Sequence, residues 1–141
     1  MMDNLEERRA RGRQVIKEMF GEQFAAGYEA GISGEGFGKE AGRMALEFAF
    51  AETWGRPGLD RKYRSMVIIG ALVALGKAPE LKNHIRGGLN NGITVAELEQ
   101  IILQTIPYVG FVLAAEALQA AGEVLKERGL DVKTAKDHGT L

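Results

Sequence analysis

The breakers in this chain are spaced a helix apart, and no stretch between them keeps up a polar–apolar alternation. Glycine and proline punctuate the sequence at GRPG (55–58), Gly76, Gly92, Pro107 and Gly129. The intervals hold several helical turns each, and a sustained period of two, the mark of a half-buried strand, is missing. The run MVIIGALVAL (66–75) has the composition of a buried strand, but it lies in an unbroken segment from 61 to 76, which favours a helix. The expectation is an all-α fold, a single-domain orthogonal or antiparallel bundle of about six helices.

Helices are expected over 3–19, 40–54, 61–76, 79–91, 95–106 and 108–128. Asp60 is a candidate N-cap, and Pro79 suits a first turn. Gly92 suits the left-handed position after a helix. Thr94 with Glu97 has the spacing of a capping box. Pro107 is expected to interrupt the fifth helix and Gly129 to end the sixth. Phe20, Phe24 and Tyr28 recur every four residues and can dock one face on a core. The stretch GISGEGFGKEAG (31–42) reads as flexible chain or a tight loop; it lacks the spacing of a phosphate-binding loop. These readings give an N-terminal helical arm (1–30), a helical domain (31–129) and a polar C-terminal tail (130–141). Several helices are apolar on more than one face, which points to a homo-oligomer.

Composition narrows the function. The 141 residues include no cysteine, so disulfides, thiolate metal sites and cysteine nucleophiles are excluded. A formal charge of −1 does not suit a nucleic-acid coat. The apolar run at 66–75 is shorter than the roughly 20 residues a membrane helix needs, so no membrane partner is expected and a cytoplasmic location is the default.

The polar residues of interest are those set among apolar ones. Lys77, Glu80 and His84 share one face if the turn at Pro79 stays helical, and a carboxylate four residues before a histidine can orient it or raise its pKa. Glu80 and His84 are therefore a candidate proton-transfer pair; the alternative is a surface pair with no role. His138 falls in the expected tail. Glu116 and Glu47 interrupt apolar runs, each on a narrow solvent stripe or facing a cavity. Arg64, Arg86 and Arg43 are candidate anion anchors, with surface or interface ion pairs as the alternative. Tyr108 can place a hydroxyl in a cavity or serve as an amphipathic core residue, and Trp54 can line a pocket or an interface. Gly87-Gly88, one turn after His84, costs about 1 kcal/mol per glycine in a helix and implies a close approach or access to a cavity. No metal site is expected from two distant histidines.

The segment GLDRKYRSMVIIGALVALGKAPELKNHIRGGLNNGITVAELEQIILQTIPYVG (58–110) resembles the carboxymuconolactone decarboxylase family, through GLDRKYR, the histidine of NHIRGGLNNG, GITVAELEQ and YVG. In the family's disulfide-reductase branch the motif is C-x-x-C-x-x-x-H with an upstream glutamate. Here those positions are Lys77, Glu80, His84 and Ser65, and without thiols the redox branch is excluded. Val112 stands where a proline is commoner. The resemblance implies an all-α homo-oligomer, a trimer or hexamer, that needs no metal or organic cofactor. It implies decarboxylation of 4-carboxymuconolactone or a related small lactone or keto acid. His84 would then be the proton donor, with Glu80 orienting it and Tyr108 adding a hydrogen bond. Arg64, Arg86, Lys77 and Glu116 would bind a small anionic substrate. Two other readings stay open: a non-enzymatic or regulatory helical oligomer, and an isomerase or hydrolase of a small carboxylate.

Overall fold

The computed structural model describes residues 4–130. His138 and all but Leu130 of the expected tail lie outside the described residues. The chain divides into two compact units, Met1–Asp60 and Arg61–Leu141, and the domain expected over 31–129 straddles that junction. The fold is an all-α bundle: seven α-helices and one π-helix, with no strand among the described residues.

In the first unit, α1 (Leu5–Phe20) opens on a capping box: the Asn4 side chain accepts from the Glu7 N–H, and the Glu7 carboxylate accepts from the Asn4 N–H. Its buried residues Gly12, Val15, Ile16 and Met19 follow the three-and-four spacing of a single helical face. That face meets a π-helix, Ala45–Trp54, which continues directly from α3 (Lys39–Met44). Gly12 makes the approach possible, because a Cβ there would stand 2.5 Å from the Leu46 carbonyl oxygen. Between them α2 (Glu22–Ser33) carries Phe24 and Tyr28. The aromatic residues cluster: Phe20 packs on Phe24, and both Phe20 and Tyr28 meet Phe50 edge-on.

Three differences from the expected helices arise here. Gly21 cuts the N-terminal segment in two, so Phe20 ends one helix while Phe24 and Tyr28 sit on the next. The glycine-rich stretch is mostly helical at its flanks, leaving 34–38 as the connection. The π-helix is the third; its wider i+5 bonding shows where the Gly55 N–H reaches back to the Phe50 carbonyl at 2.9 Å.

In the second unit, α4 (Arg61–Leu75) buries Ser65, Ile69 and Val73 at successive turns. Gly76, at φ 65°, ends it. Next, α5 (Ala78–Asn90) has Pro79 in its first turn and buries Leu81, Ile85, Gly87 and Gly88. The capping box of Thr94 and Glu97 opens α6 (Val95–Val109) as expected. Lastly, α7 (Phe111–Glu127) lays a buried alanine-rich face, Ala114, Ala117, Ala120 and Ala121, into the same core. Ile69, Ile85 and Ile102 are fully buried at its centre, each contributing about 1.5–3 kcal/mol of hydrophobic stabilisation.

Pro107 does not interrupt α6, contrary to expectation. The helix runs through it to Val109, and the break falls at Gly110. Proline here removes a single hydrogen bond near the helix end, at an exposed position where water can take the freed carbonyl. Gly110 has φ 90° and ψ 168°, almost the angles of Gly21 (φ 91°, ψ 170°). At both corners the glycine N–H closes one helix, bonding Lys17 or Ile106, and the same glycine's carbonyl opens the next.

Candidate active site around His84

The α5 helix presents His84 half-way along its length. The three turns of buried aliphatic and glycine residues that dock α5 also fix the histidine's direction. Its side chain is 14% exposed, while that of Glu80 one turn earlier is 59% exposed. The Glu80 carboxylate lies 3.5 Å from His84 Nε2, and Nδ1 is shut off from solvent. Burial pulls the imidazole below its ordinary pKa of 6.5, and the charge of Glu80 works against that pull. The arrangement is a largely desolvated base with one carboxylate at its outer edge, suited to moving a proton near neutral pH.

The other candidates fall into separate places. Lys77 stands just ahead of α5 at φ −99°, so it does not share the helical stripe of Glu80 and His84. It lines a narrow groove with Glu116, over a floor that includes Leu81 and Leu113. Both are exposed, and no ion pair links them. Arg86 is committed elsewhere: Nε and Nη2 grip Glu127 on α7 at 3.0 and 2.9 Å, and Nη1 donates to Asn83. Arg64 is half-buried on α4, and Tyr108 is 83% exposed at the end of α6. Glu47 is partly buried in the first unit, where it accepts from Arg9 at 2.8 Å, and Trp54 is buried there too. Among the described residues no three His, Asp or Glu side chains gather as metal ligands would.

Behind the histidine helix is a contact the sequence did not single out. Ser65, buried on α4, accepts a hydrogen bond from the Asn91 side chain at 2.9 Å. A Cβ on Gly88 would lie 3.0 Å from Ile93 Cδ1, 3.2 Å from Ile69 Cδ1 and 3.5 Å from Ser65 Cβ. Gly88 therefore lets α5 lie close on α4, which answers why a helix tolerates it. The signal available was a small polar residue at the head of the apolar run 66–75.

The model of the carboxymuconolactone decarboxylase family matches residues 39–123, more than half of the chain. The chain belongs to the carboxymuconolactone decarboxylase family. It is 36% identical over 127 residues to a 4-carboxymuconolactone decarboxylase of Acinetobacter baylyi, covering 90% of this chain and 93% of that protein. It is 32% identical over 107 residues to a nitrosuccinic acid decarboxylase of Metarhizium robertsii, covering 76% and 73%. An uncharacterised 15.0 kDa protein of Paracoccus denitrificans is 34% identical over 84 residues, covering 58% and 63%. In this member of the family, decarboxylase-type activity is the chemistry that kinship supports.

Proposed function

We propose that this protein is a carboxy-lyase that removes CO₂ from 4-carboxymuconolactone or a related small activated acid, with His84 as proton donor. The observation that carries the reading is the desolvated His84 beside Glu80, on a helix inside the segment that matches the family. The two named relatives act on acids that share a chemical feature. Each acid in those names carries a carboxylate on a carbon connected to an electron sink, a conjugated lactone in one and a nitro group in the other.

For the lactone, the bond to the carboxylate carbon breaks and CO₂ leaves. The electron pair runs through the ring double bond into the lactone carbonyl, forming a dienolate. A proton delivered to the ring carbon next to that carbonyl gives the enol-lactone. His84 is neutral at rest because burial disfavours its charge. An anionic substrate raises its pKa on arrival, so the imidazolium forms in the complex and sits ready as a general acid. Glu80 holds the ring and supports that charge. Lys77 at its groove and Arg64 on α4 are the cations proposed to hold the substrate carboxylates, Glu116 shares the groove, and Tyr108 offers a hydroxyl; Arg86 is proposed to contribute by anchoring α5. The reading calls for no metal or organic cofactor.

Val67, Leu75, Phe111 and Val112 are large apolar side chains left exposed, which supports assembly into a homo-oligomer, a trimer or hexamer. Light scattering on the purified chain reads that number directly. The function is tested by incubating the protein with 4-carboxymuconolactone and with nitrosuccinate in D₂O, following CO₂ release and product NMR. Turnover with deuterium on the newly protonated carbon, lost by about a hundredfold or more in His84→Ala, is expected. Turnover without CO₂ would make the protein an isomerase or hydrolase, and full activity of His84→Ala would remove the histidine from the mechanism.

A further inference from the structure

A cavity separate from His84 opens among the described residues. It has a volume of about 290 Å³ and lies wholly within the Met1–Asp60 unit. That is near the lower end of the range for small-molecule sites, about 300–1,000 Å³. Arg9 and Arg13 reach it from successive turns of α1, and Arg43 from the end of α3. Its apolar floor is Ile32 and Leu46, both buried.

The donors in this cavity are unequally used. Arg13 is spent: Nε and Nη2 donate to Glu29 at 3.0 and 3.2 Å, and Nη1 lies 3.6 Å from Glu6. Arg9 gives its Nε to Glu47, which leaves both Nη groups uncommitted to any described residue. Arg43 gives Nε to the Ile32 carbonyl at 3.0 Å and Nη1 to Glu40 at 2.7 Å, which leaves Nη2. The Glu40 side chain is 67% exposed, so water screens much of its charge. Backbone packing holds these groups in place. A Cβ on Gly42 would stand 2.7 Å from Ile32 Cγ2, and the Tyr28 hydroxyl donates to the Gly42 carbonyl at 2.6 Å.

We propose that this cavity binds the carboxylate of a small organic acid, with Arg9 and Arg43 as its donors and Ile32 and Leu46 against its hydrocarbon body. Two planar guanidinium groups with spare N–H bonds suit a carboxylate. The Glu29 carboxylate in the wall opposes a second negative charge, so a monocarboxylate with a short apolar chain fits better than phosphate or a dicarboxylate. None of these residues belongs to the machinery proposed around His84, and the test reads binding alone.

The full-length protein is titrated at low ionic strength with butyrate, succinate and inorganic phosphate, following the arginine Nε–Hε signals by NMR. Saturable butyrate shifts of the Arg9 and Arg43 signals are expected, with weaker effects from succinate and phosphate. Arg9→Gln should weaken butyrate binding by about tenfold. Glu29→Gln removes the opposing charge and should tighten it severalfold, a gain that loss of packing cannot produce. No saturable butyrate shift, phosphate binding tighter than butyrate, or unchanged affinity in Arg9→Gln overturns the proposal. Should Arg9→Gln fail to fold, unchanged or weaker binding by Glu29→Gln overturns it alone.

Discussion

The Asn91 side-chain amide donates to the hydroxyl of Ser65 at 2.9 Å, joining the end of the histidine helix to the core of α4. Ser65 is 1% exposed, so nothing but Asn91 and its immediate surroundings can satisfy it. Ser65→Ala leaves the part-buried Asn91 amide without that acceptor. The expected loss is about 1 kcal/mol in chemical denaturation. Ser65→Ala with Asn91→Leu should recover part of it, because both partners are then apolar.

His84 makes stability depend on pH in a definite direction. Its pKa is lowered in the folded state, so the unfolded chain takes up a proton first as pH falls through about 6.5. The contribution of neutral His84 is complete above that value and shrinks as pH drops toward the folded pKa. In His84→Gln the slope of unfolding free energy against pH between about 5 and 7 should flatten. An unchanged slope would mean that the histidine is not held neutral by burial.

Kinetics read the same pair from the other side. Glu80 raises the His84 pKa against burial, so Glu80→Gln should lower it further. If the imidazolium is the acid, kcat/KM rises as pH falls, and in Glu80→Gln that limb shifts to lower pH, with activity at neutral pH down severalfold. A uniform loss with no shift would mark Glu80 as a packing residue alone.

In the first unit, Gly12→Ala puts a methyl 2.5 Å from the Leu46 carbonyl oxygen and 2.9 Å from Leu46 Cδ1. The backbone oxygen cannot swing away as a side-chain tip can. Overpacking of this kind costs about 1–3 kcal/mol, more than the helix propensity alanine adds. Thermal unfolding should therefore start at lower temperature in Gly12→Ala, and a rise in melting temperature would contradict the close contact.

Between α5 and α7, Lys82 pairs with Glu123, Arg86 with Glu127, and the Arg128 guanidinium donates to Asn90. The Arg86 guanidinium holds the Glu127 carboxyl below its usual range, so this pair's support is present above about pH 4.5 and lost as pH falls through the lowered value. Added salt should lower the melting temperature of the wild type and lower it less in Glu127→Gln. Equal salt dependence would show that the Arg86–Glu127 pair adds nothing to stability.

Much of the bundle could be read from the chain because its signals were local. Thr94 and Glu97 announce a helix start within four residues, and Gly76 and Gly92 mark ends that need positive φ. Pro107 misled because proline's penalty depends on what surrounds the freed carbonyl, which the sequence does not state. The π-helix escaped because an all-round apolar segment reads the same for i+4 and i+5 bonding. At the site, the Glu80–His84 spacing was enough to place the pair together. That Arg86 is engaged by Glu127, 41 residues away, was beyond any local pattern. Arg9 and Arg13 fall in the expected N-terminal arm, and the cavity they line forms because α2 and the π-helix pack against α1.

Gly21 and Gly110 also bear on how the chain can be edited. Each turns the path between two helices in one residue, without spare length. Adding or removing a residue at either would rotate the next helix by about 100° and carry its apolar face away from its neighbours. Tags, cleavage sites and graft points therefore belong in 34–38 or 55–60, where the chain already runs outside its helices.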